Sequence, residues 1–439
     1  MNSAITQDEH DAILQSLRAG VVPRIGLEHI QVGRKDEVSA FLKDLERIEN
    51  GSASFRFVIG RYGSGKSFIL NLARILALAK KFVVVQADIS IDRRLSGSNG
   101  QARSLYSELI SNMAIRTRPS GGALSNIVER WVSDINFEIR QAGGTEKDVE
   151  TKIYALLKPL QDHVNGYDFA EVIIKYLHGF NMQNQALMDA SLRWLKAEYR
   201  TRTEASQELG VRSIIDDSNF YNHLKLMAAF CRMAGYSGFL VNIDEMRVIS
   251  HRLNSSTARN QNFEMILTML NDCLQGNVKW IGFLLAGTDT FLEDRRRGLY
   301  SYEALERRLS SNTFATDDLK DFSGPVIRLD SLSQEDMFLL LHRIRNVFAY
   351  GQKEKYLIPN KALERFMIHC SEELGAEYFK TPGDVAKSFV GFLSILEQNP
   401  SADWEKILHT TKIEKRDESD EIATADDVED LKSLKLKTE

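Results

Sequence analysis

Residues 55–72 read FRFVIGRYGSGKSFILNL, and this stretch decides the fold. Residues 55–59 form a short apolar run, which predicts a buried strand. Residues 60–67 fit the pattern G-x-x-x-x-G-K-[ST] at every fixed position. A helical pattern follows, and the apolar residues spaced for one face of that helix are Phe68, Leu72 and Ile75. A strand, a glycine-rich turn and a helix are the context in which this pattern forms a phosphate-binding loop.

The residue types in this loop have a chemical reason. Glycines let the backbone curl so that successive N–H groups point into one concavity. The following helix adds partial positive charge at its N-terminus, where phosphates would lie. Lys66 can reach the β- and γ-phosphates, and Ser67 can hold Mg²⁺, so ATP and Mg²⁺ are the predicted ligands. The alternative is a glycine-rich turn that binds nothing. The residues predicted to contact the nucleotide here are Gly60, Tyr62, Gly63, Ser64, Gly65, Lys66, Ser67 and Phe68.

Composition limits the class of protein. The chain has 439 residues, enough for two or three domains, and its hydrophobic content of 43% is ordinary for a globular protein. It contains no apolar run of about 18 residues and no apolar N-terminal segment, so we expect neither a membrane span nor a signal peptide. Cys231, Cys273 and Cys370 form no C-x-x-C pair, which argues against a zinc site or a disulfide framework. These features predict a cytoplasmic protein. The net charge of −5 gives no general indication of nucleic-acid binding.

A second motif lies far along the chain. Residues 238–245 read GFLVNIDE, an apolar strand that ends in two acids. Ligands meet parallel sheets at the carboxyl ends of their strands, so these acids are expected to face the phosphate site. Asp244 is predicted to hold Mg²⁺, usually through water, and Glu245 to orient and polarise an attacking water. The alternative is a strand that ends in Asp-Glu by chance. The long gap between the two motifs predicts a helical insertion at about residues 110–215.

The remaining pattern predicts an α/β protein with a parallel sheet. Further strands are expected at residues 81–89, 278–286 and 325–329. Asp88 lies near the end of the first of these, where it either faces the site or caps the next segment. Helices are expected at residues 8–20, 35–49, 147–162, 168–178, 184–209, 217–234 and 259–275, and within 333–398. One more helix has apolar positions at Leu124, Ile127, Val128, Trp131, Val132 and Ile135.

Six stretches carry a resemblance to a known family. They are LRAGVVPRIGLEHIQVGRKDEV (17–38), FRFVIGRYGSGKSFIL (55–70), GYSGFLVNIDEM (235–246), LNDCLQGN (270–277), AGTDTFLEDRRRGLYSYEALERRL (286–309) and TPGDV (381–385). Together they resemble AAA+ ATPases of the origin-recognition/STAND branch and, more narrowly, the ATP-binding proteins of BREX phage-defence systems. The resemblance implies a parallel-sheet P-loop AAA+ core with an inserted helical region and a C-terminal helical lid. It also implies a bacterial cytoplasm and work alongside other phage-defence proteins.

The resemblance also implies roles for individual residues. Val32, Gly33 and Arg34 match an element that lies beside the adenine. Thr288, with Asp289 as second choice, matches the "sensor 1" residue that reads the γ-phosphate; a capping Thr is the alternative. Arg308 or Arg307 matches the "arginine finger" that reaches a neighbouring subunit's nucleotide, which implies a homo-oligomer with a shared site; a surface charge cluster is the alternative. The "sensor 2" position is occupied by Gly383, and the nearest base is Lys387.

The domain boundaries are predicted as follows: an N-terminal helical arm at 1–32, a nucleotide-binding domain at 33–330, a helical lid at 331–410 and a charged, disordered tail at 411–439. Three functions are consistent with these patterns. The first is an ATPase that couples the ATP state to remodelling or assembly on DNA or with partner defence proteins. The second is a nucleotide-gated switch with little turnover. The third is a small-molecule phosphotransferase, since phosphate loops also serve kinases. Double-stranded DNA is a candidate partner for two basic clusters, Arg295–Arg297 and residues 193–202.

Overall fold

The computed structural model describes residues 5–314, 320–374 and 382–410 of the chain. The described residues belong to two compact units. The first unit takes its residues from Met1–Arg34, Gly60–Gly65 and Leu329–Glu439, and the second from Lys35–Ile59 and Lys66–Arg328. Thr381, the first residue of the TPGDV stretch, and the tail predicted at 411–439 lie outside the described residues.

The second unit is built on a parallel sheet, which confirms the α/β fold. The described strands are β1 (Ala53–Ile59), β2 (Val83–Asp88), β3 (Phe239–Asp244), β4 (Ile281–Gly287) and β5 (Val326–Arg328). Their order across the sheet is β2-β3-β4-β1-β5, and each pairing is parallel. Every residue of β1, β3 and β4 is buried, as expected for strands covered on both faces.

The register brings the carboxyl ends of the strands to one edge of the sheet. Ile59 at the end of β1 pairs with Gly287 at the end of β4. Asp88 at the end of β2 pairs with Asp244 at the end of β3. The loops that leave these four strands therefore start side by side, which is the usual place for a ligand site in such sheets.

Helices make up most of the remaining chain. In chain order the described α-helices are α1 (Gln7–Ala19), α2 (Lys35–Glu49), α3 (Lys66–Ala79), α4 (Gln101–Ser111), α5 (Leu124–Gln141), α6 (Glu146–Gln161), α7 (Gly166–Asn181), α8 (Gln185–Leu195), α9 (Arg202–Leu209), α10 (Phe220–Met233), α11 (Ser256–Leu274), α12 (Asp289–Glu293), α13 (Glu303–Leu309), α14 (Gln334–Phe348), α15 (Asn360–Leu374), α16 (Pro382–Gln398) and α17 (Trp404–Thr410). Short 3₁₀ turns and one π-helical segment, Val248–Arg252, lie between them.

The chain between β2 and β3 is helical, as the long gap between the motifs predicts. Residues 89–238, all of them described, contain helices α4 to α10. The six apolar positions predicted for the helix now labelled α5 are its buried residues. These helices share one hydrophobic core with the sheet: Trp131 of α5 and Phe230 of α10 belong to the same cluster as Phe57 of β1. The inserted helices are thus packed on the sheet of the second unit.

Two expectations about helices are wrong in detail. The helix expected at 184–209 is two helices, α8 and α9, because the backbone of Ala197 is left-handed (φ 59°) and Thr201 caps a new helix. In α3 the fully buried side carries Ile69, Leu70 and Ala77, whereas Phe68 and Ile75 are only half-buried. Contact with the sheet and with neighbouring helices covers more of α3 than one apolar stripe predicts.

A buried ion pair lies within the second unit. Arg56, in the middle of the apolar run of β1, donates from Nε to Asp44 Oδ2 at 2.6 Å and from Nη2 to Asp44 Oδ1 at 3.0 Å. Asp44 lies on α2, and both residues are buried. A bidentate pair of this kind compensates for the desolvation of each charge, so one residue is tolerated in the core only with the other.

The first unit is helical in its described parts. Helix α1 packs on α16 and α14, and His10 of α1 stacks on Tyr350 with ring centroids 3.7 Å apart. Ser333 caps α14 by accepting a hydrogen bond from the Asp336 N–H at 3.0 Å. The N-terminal segment and the helices after β5 therefore share contacts within one unit.

Candidate functional site

The glycine-rich turn lies between β1 and α3, as the motif requires. Gly63 and Gly65 have φ angles of +75° and +96°, a region that side chains with a Cβ rarely adopt. Helix α3 begins at Lys66, and the first N–H groups of a helix have no partner within it. The turn therefore leads into a helix start with donors suited to an anion.

Ser67 and Asp244 meet although 177 positions separate them in sequence. The Ser67 hydroxyl donates to Asp244 Oδ2 at 2.6 Å, and the backbone N–H of Glu245 donates to Asp244 Oδ1 at 2.8 Å. Asp244 is only 8% exposed, so the contacts fix its orientation. A hydroxyl and a carboxylate at this separation are the oxygen ligands that Mg²⁺ prefers, and the pair fits that ion.

Glu245 has an unusual backbone and an unusual environment. Its φ of +59° lies in the left-handed region, which costs about 1 kcal/mol or more for a residue with a Cβ. Desolvation raises the pKa of its carboxyl group, and the negative charges of Asp244 and Asp88 raise it further. The charges of Lys66 and Arg252 oppose that rise. Glu245 is exposed to solvent. Its side chain lies among charged neighbours at the carboxyl ends of the strands.

Lys66 faces the same acids. Desolvation lowers the pKa of its ammonium group, and the charges of Asp244, Glu245 and Asp289 counteract that fall. Asp289 begins α12 and also lies 3.7 Å from Arg328. Thr288 and Asp289 were the two candidates for sensor 1 at the end of β4. The charge of Asp289 acts on Lys66.

Thr288 lies at the end of β4, at the same edge as Asp244. Its Oγ1 accepts a hydrogen bond from the Phe291 N–H at 3.3 Å and lies 2.9 Å from Thr290 Oγ1. It thus caps α12, the alternative noted for this residue type. Thr288 therefore lies directly after β4, next to the candidate site. Its role in sensing the γ-phosphate stays a prediction.

The arginines proposed as a finger lie elsewhere. Arg308 Nε donates to Asn271 Oδ1, and its Nη1 donates to the Ala304 carbonyl, each at 2.8 Å. Arg307 pairs with Glu303. Asn271 is in the last turn of α11, which runs from the carboxyl end of β3 back towards the amino end of β4. Arg308 therefore lies towards the amino ends of the strands, whereas Asp244 lies at the carboxyl end of β3.

In the first unit, the segment expected beside an adenine touches the glycine-rich turn. Gly33 and Arg34 both have φ of +59°, and Arg34 Nη2 donates to the Ser64 carbonyl at 3.1 Å. Ser64 is 5% exposed. Gly383, in the first turn of α16, brings its N–H within 3.5 Å of the Gly63 carbonyl. Arg34 is thus tied to the loop backbone, a contact that the sequence pattern did not predict.

Replacing Arg34 with Ala is expected to weaken ATP binding about tenfold, because a hydrogen bond from a charged group is worth about 1.5 kcal/mol or more. Titration of a fluorescent ATP analogue would measure the change. Arg24→Ala, which removes an exposed arginine ten positions earlier in the chain, is the control. Equal affinities of the two variants would contradict a positioning role for Arg34.

Asn242 is a site residue that sequence reasoning missed. It is fully buried in β3, and its Nδ2 donates to the Leu70 carbonyl of α3 at 3.1 Å. It precedes Asp244 by two positions, so both side chains leave the same face of the strand. Asn242 thereby ties β3 to the helix that carries Ser67. The available signal was an amide in an otherwise apolar strand.

The aromatic and basic stretch at 193–202 is not arranged for stacking on bases. Trp194 and Tyr199 are 1% exposed, and the indole N–H of Trp194 donates to the Ser213 carbonyl at 2.9 Å. Arg193 pairs with Glu204 at 2.9 Å and with Glu208 at 3.1 Å. The aromatic rings therefore belong to the core, and the charge of Arg193 is compensated locally.

Comparisons with known proteins complete the description of the site. Among the described residues, no helix is both long and apolar enough to cross a bilayer. No curated protein matches the chain. Residues 5–412 match the family model described as BREX system ATP-binding protein BrxC/D. This family match supports ATP as a ligand of the chain and a role in phage defence. It also implies other defence proteins as partners. Because the match covers nearly the whole sequence, the chain belongs to the BREX system ATP-binding protein BrxC/D family.

Proposed function

We propose that the chain hydrolyses ATP with Mg²⁺ and couples its ATP state to remodelling or assembly on DNA or with partner defence proteins. The observation that carries this proposal is the 2.6 Å contact between Ser67 and Asp244, with Glu245 next to it. The contact joins the helix after the phosphate loop to the end of β3. These are the places where nucleotide hydrolases of this class keep the metal ligands and the residue that orients water.

Each residue has a distinct task in the proposed reaction. Ser67 and Asp244 would hold Mg²⁺, which when bound neutralises charge on the phosphate oxygens. Lys66 supplies an ammonium group for the β- and γ-phosphates. Glu245 accepts a hydrogen bond from the attacking water and aligns it with the γ-phosphorus. Its raised pKa makes it a stronger base than an ordinary carboxylate. Thr288 would sense the γ-phosphate from the end of β4.

We propose that Arg308 acts as an arginine finger between subunits. Arg308 lies towards the opposite edge of its own sheet and would act on a neighbour's nucleotide in a homo-oligomer. This placement also favours the second candidate function, a nucleotide-gated switch. If the finger comes from a neighbouring subunit, a single subunit would bind ATP and turn it over slowly until a partner supplies that arginine.

The proposal is tested by ATP turnover measured across Mg²⁺ concentrations. Ser67→Ala removes one proposed ligand and is expected to raise the half-maximal Mg²⁺ concentration about tenfold. Ser206→Ala, on the exposed surface of α9, is the matched control. Unchanged Mg²⁺ dependence in Ser67→Ala would contradict the assigned metal site. ATP binding without turnover in the wild type would favour the switch.

A further inference from the structure

Three side chains that carry metal-binding atoms converge in the first unit. Glu9 lies in the first turn of α1, and Glu28 and His29 belong to the 3₁₀ turn Leu27–His29. One ligand atom of each, a carboxylate oxygen or an imidazole nitrogen, lies within 4.8 Å of the other two. We call these three residues the Glu-Glu-His cluster. In the part of the chain that the structure describes, no other histidine, cysteine and acidic side chains converge in this way.

Gly26 brings the 3₁₀ turn close to α1. Its φ of +73° lies in the left-handed region, and a Cβ at this position would lie 2.7 Å from Ile13 Cδ1 and 3.3 Å from Glu9 Cβ. Glu9 and Ile13 lie one helical turn apart on the same face of α1, so the turn approaches that face directly. Ile13 and Leu27 are fully buried, which anchors both the helix and the turn. The backbone that carries Glu28 and His29 is thereby held next to Glu9.

His29 presents a buried nitrogen that lacks a hydrogen-bond partner. Its side chain is 11% exposed, and its Nε2 is buried and makes no hydrogen bond with any described residue. Glu9 Oε2 lies 3.6 Å from this nitrogen, beyond the range of about 2.7–3.2 Å for a hydrogen bond from nitrogen to oxygen. Buried polar atoms normally have a partner, so the bare nitrogen needs an explanation.

The distance of 3.6 Å fits a metal ion shared by the two side chains. Zn²⁺ binds imidazole nitrogen and carboxylate oxygen at about 2.0–2.2 Å. Two such ligands at a tetrahedral angle lie about 3.4 Å apart, which is within about 0.2 Å of the observed separation. An octahedral ion such as Mg²⁺ would bring neighbouring ligands to about 3.0 Å. The geometry therefore favours a tetrahedral ion.

Both carboxylates can serve as ligands. Glu9 Oε2 accepts hydrogen bonds from the Thr6 N–H at 2.9 Å and from the Thr6 hydroxyl at 2.8 Å, contacts that orient the group as outer-shell partners orient a ligating carboxylate. Neither Glu9 nor Glu28 forms an ion pair with a lysine or arginine among the described residues. Glu28 is exposed, so its side chain can rotate towards the ion and water can supply a fourth ligand.

A simpler interpretation explains only part of this arrangement. Thr6 and Glu9 form a capping box, which accounts for an acid in the first turn of α1. The capping box does not account for the bare nitrogen of His29 or for the convergence of Glu28 on the same point. A metal ion accounts for both.

We propose that the Glu-Glu-His cluster binds one Zn²⁺ ion. Imidazole nitrogen favours transition metals over Mg²⁺ and Ca²⁺, which prefer oxygen ligands throughout. The cluster contains no cysteine, so the argument against a cysteine-based zinc site does not apply to it. It shares no residue with the proposed Mg²⁺ site and does not rest on the proposed hydrolysis.

The role of the ion would be structural. Zn²⁺ bound by Glu9, Glu28 and His29 would join α1 to the 3₁₀ turn. Arg34 follows His29 by five positions and donates to the Ser64 carbonyl of the glycine-rich turn. The ion would therefore fix the start of the segment that reaches this turn within the first unit.

The test is competition for Zn²⁺ between the full chain, without an affinity tag, and a chromogenic chelator. Excess Mg²⁺ is present to occupy sites made only of oxygen ligands, and nucleotide is left out. The wild type is expected to bind one Zn²⁺ ion per chain. Glu28→Gln and His29→Gln should each bind Zn²⁺ at least about tenfold more weakly. The controls Glu138→Gln and His163→Gln change exposed residues outside the cluster in the same way and should bind as the wild type does.

A second measurement reads the geometry of the site. Co²⁺ bound in place of Zn²⁺ should give the wild type the strong visible absorption of a tetrahedral ion, and both cluster variants should lose it. Circular dichroism checks that Glu28→Gln, which changes an exposed side chain, remains folded. The proposal is overturned by equal Zn²⁺ affinities of Glu28→Gln and Glu138→Gln, by displacement of Zn²⁺ by Mg²⁺, or by a wild type that binds no Zn²⁺. The failure of the proposed function is seen separately, as ATP turnover that does not depend on Glu245.

Discussion

Glu245→Gln is expected to lower ATP turnover by about 100-fold or more while ATP binding is retained. Glutamine has nearly the same shape but cannot accept a proton, so the water would lose its orienting base. The backbone of residue 245 is already held in the left-handed region by the structure around it, and the Glu245 N–H bond to Asp244 does not involve the side chain. The substitution therefore removes the chemistry of one carboxylate and leaves the proposed metal ligands, Ser67 and Asp244, in place.

Two measurements on the same preparation check this result. Phosphate release gives the turnover rate, and titration of a fluorescent ATP analogue gives the affinity. Glu138→Gln changes an exposed acid on α5 in the same way and should behave as wild type. Turnover that survives Glu245→Gln would remove Glu245 from the mechanism. Loss of ATP binding in the variant would show that the carboxylate holds the site together instead.

His223 is expected to make the inserted helices sensitive to acid. It is fully buried, and neither ring nitrogen has a hydrogen-bond partner. The rings of Tyr106, Phe169 and Trp194 surround it, with centroids 6.4, 6.5 and 5.4 Å away. Burial lowers the pKa of His223 from 6.5 to about 3, and the charge of Asp216 opposes that shift only in part. The ring is therefore neutral in the folded protein at neutral pH.

The sign of the pH effect follows from proton binding. Between pH 6.5 and pH 3 the unfolded chain binds a proton at His223 that the folded chain does not. This contribution to stability is present above pH 6.5 and is lost as the pH falls towards 3. From pH 7 to pH 5 the loss from this one histidine is about 2 kcal/mol.

Urea denaturation at pH 7, 6 and 5, followed by tryptophan fluorescence, would measure this dependence because Trp194 lies beside His223. Between pH 7 and pH 5, the free energy of unfolding of His223→Leu is expected to fall by about 2 kcal/mol less than that of the wild type. His163→Leu, at an exposed position between α6 and α7, removes a histidine that water already solvates and should follow the wild type. Identical pH dependence in all three proteins would show that His223 does not control acid stability.

Much of the candidate site could be predicted because its parts are local. The strand, turn and helix around Lys66 follow from one continuous motif, and the acids at the end of β3 follow from another. The six buried positions of α5 follow from helical periodicity. The break between α8 and α9 could not be predicted in this way, because it depends on the burial of Trp194 and Tyr199 against distant residues.

The sequence by itself determined the glycine-rich turn, the Asp-Glu strand, the α/β class and most helices, since each depends on neighbouring residues and a short period. Only the tertiary structure decided which distant groups meet. Strand order and register bring Ser67 to Asp244, and α2 supplies the partner of Arg56. Periodicity says which face of an element is buried but not which residue covers it, so these pairings arise only when the whole chain packs.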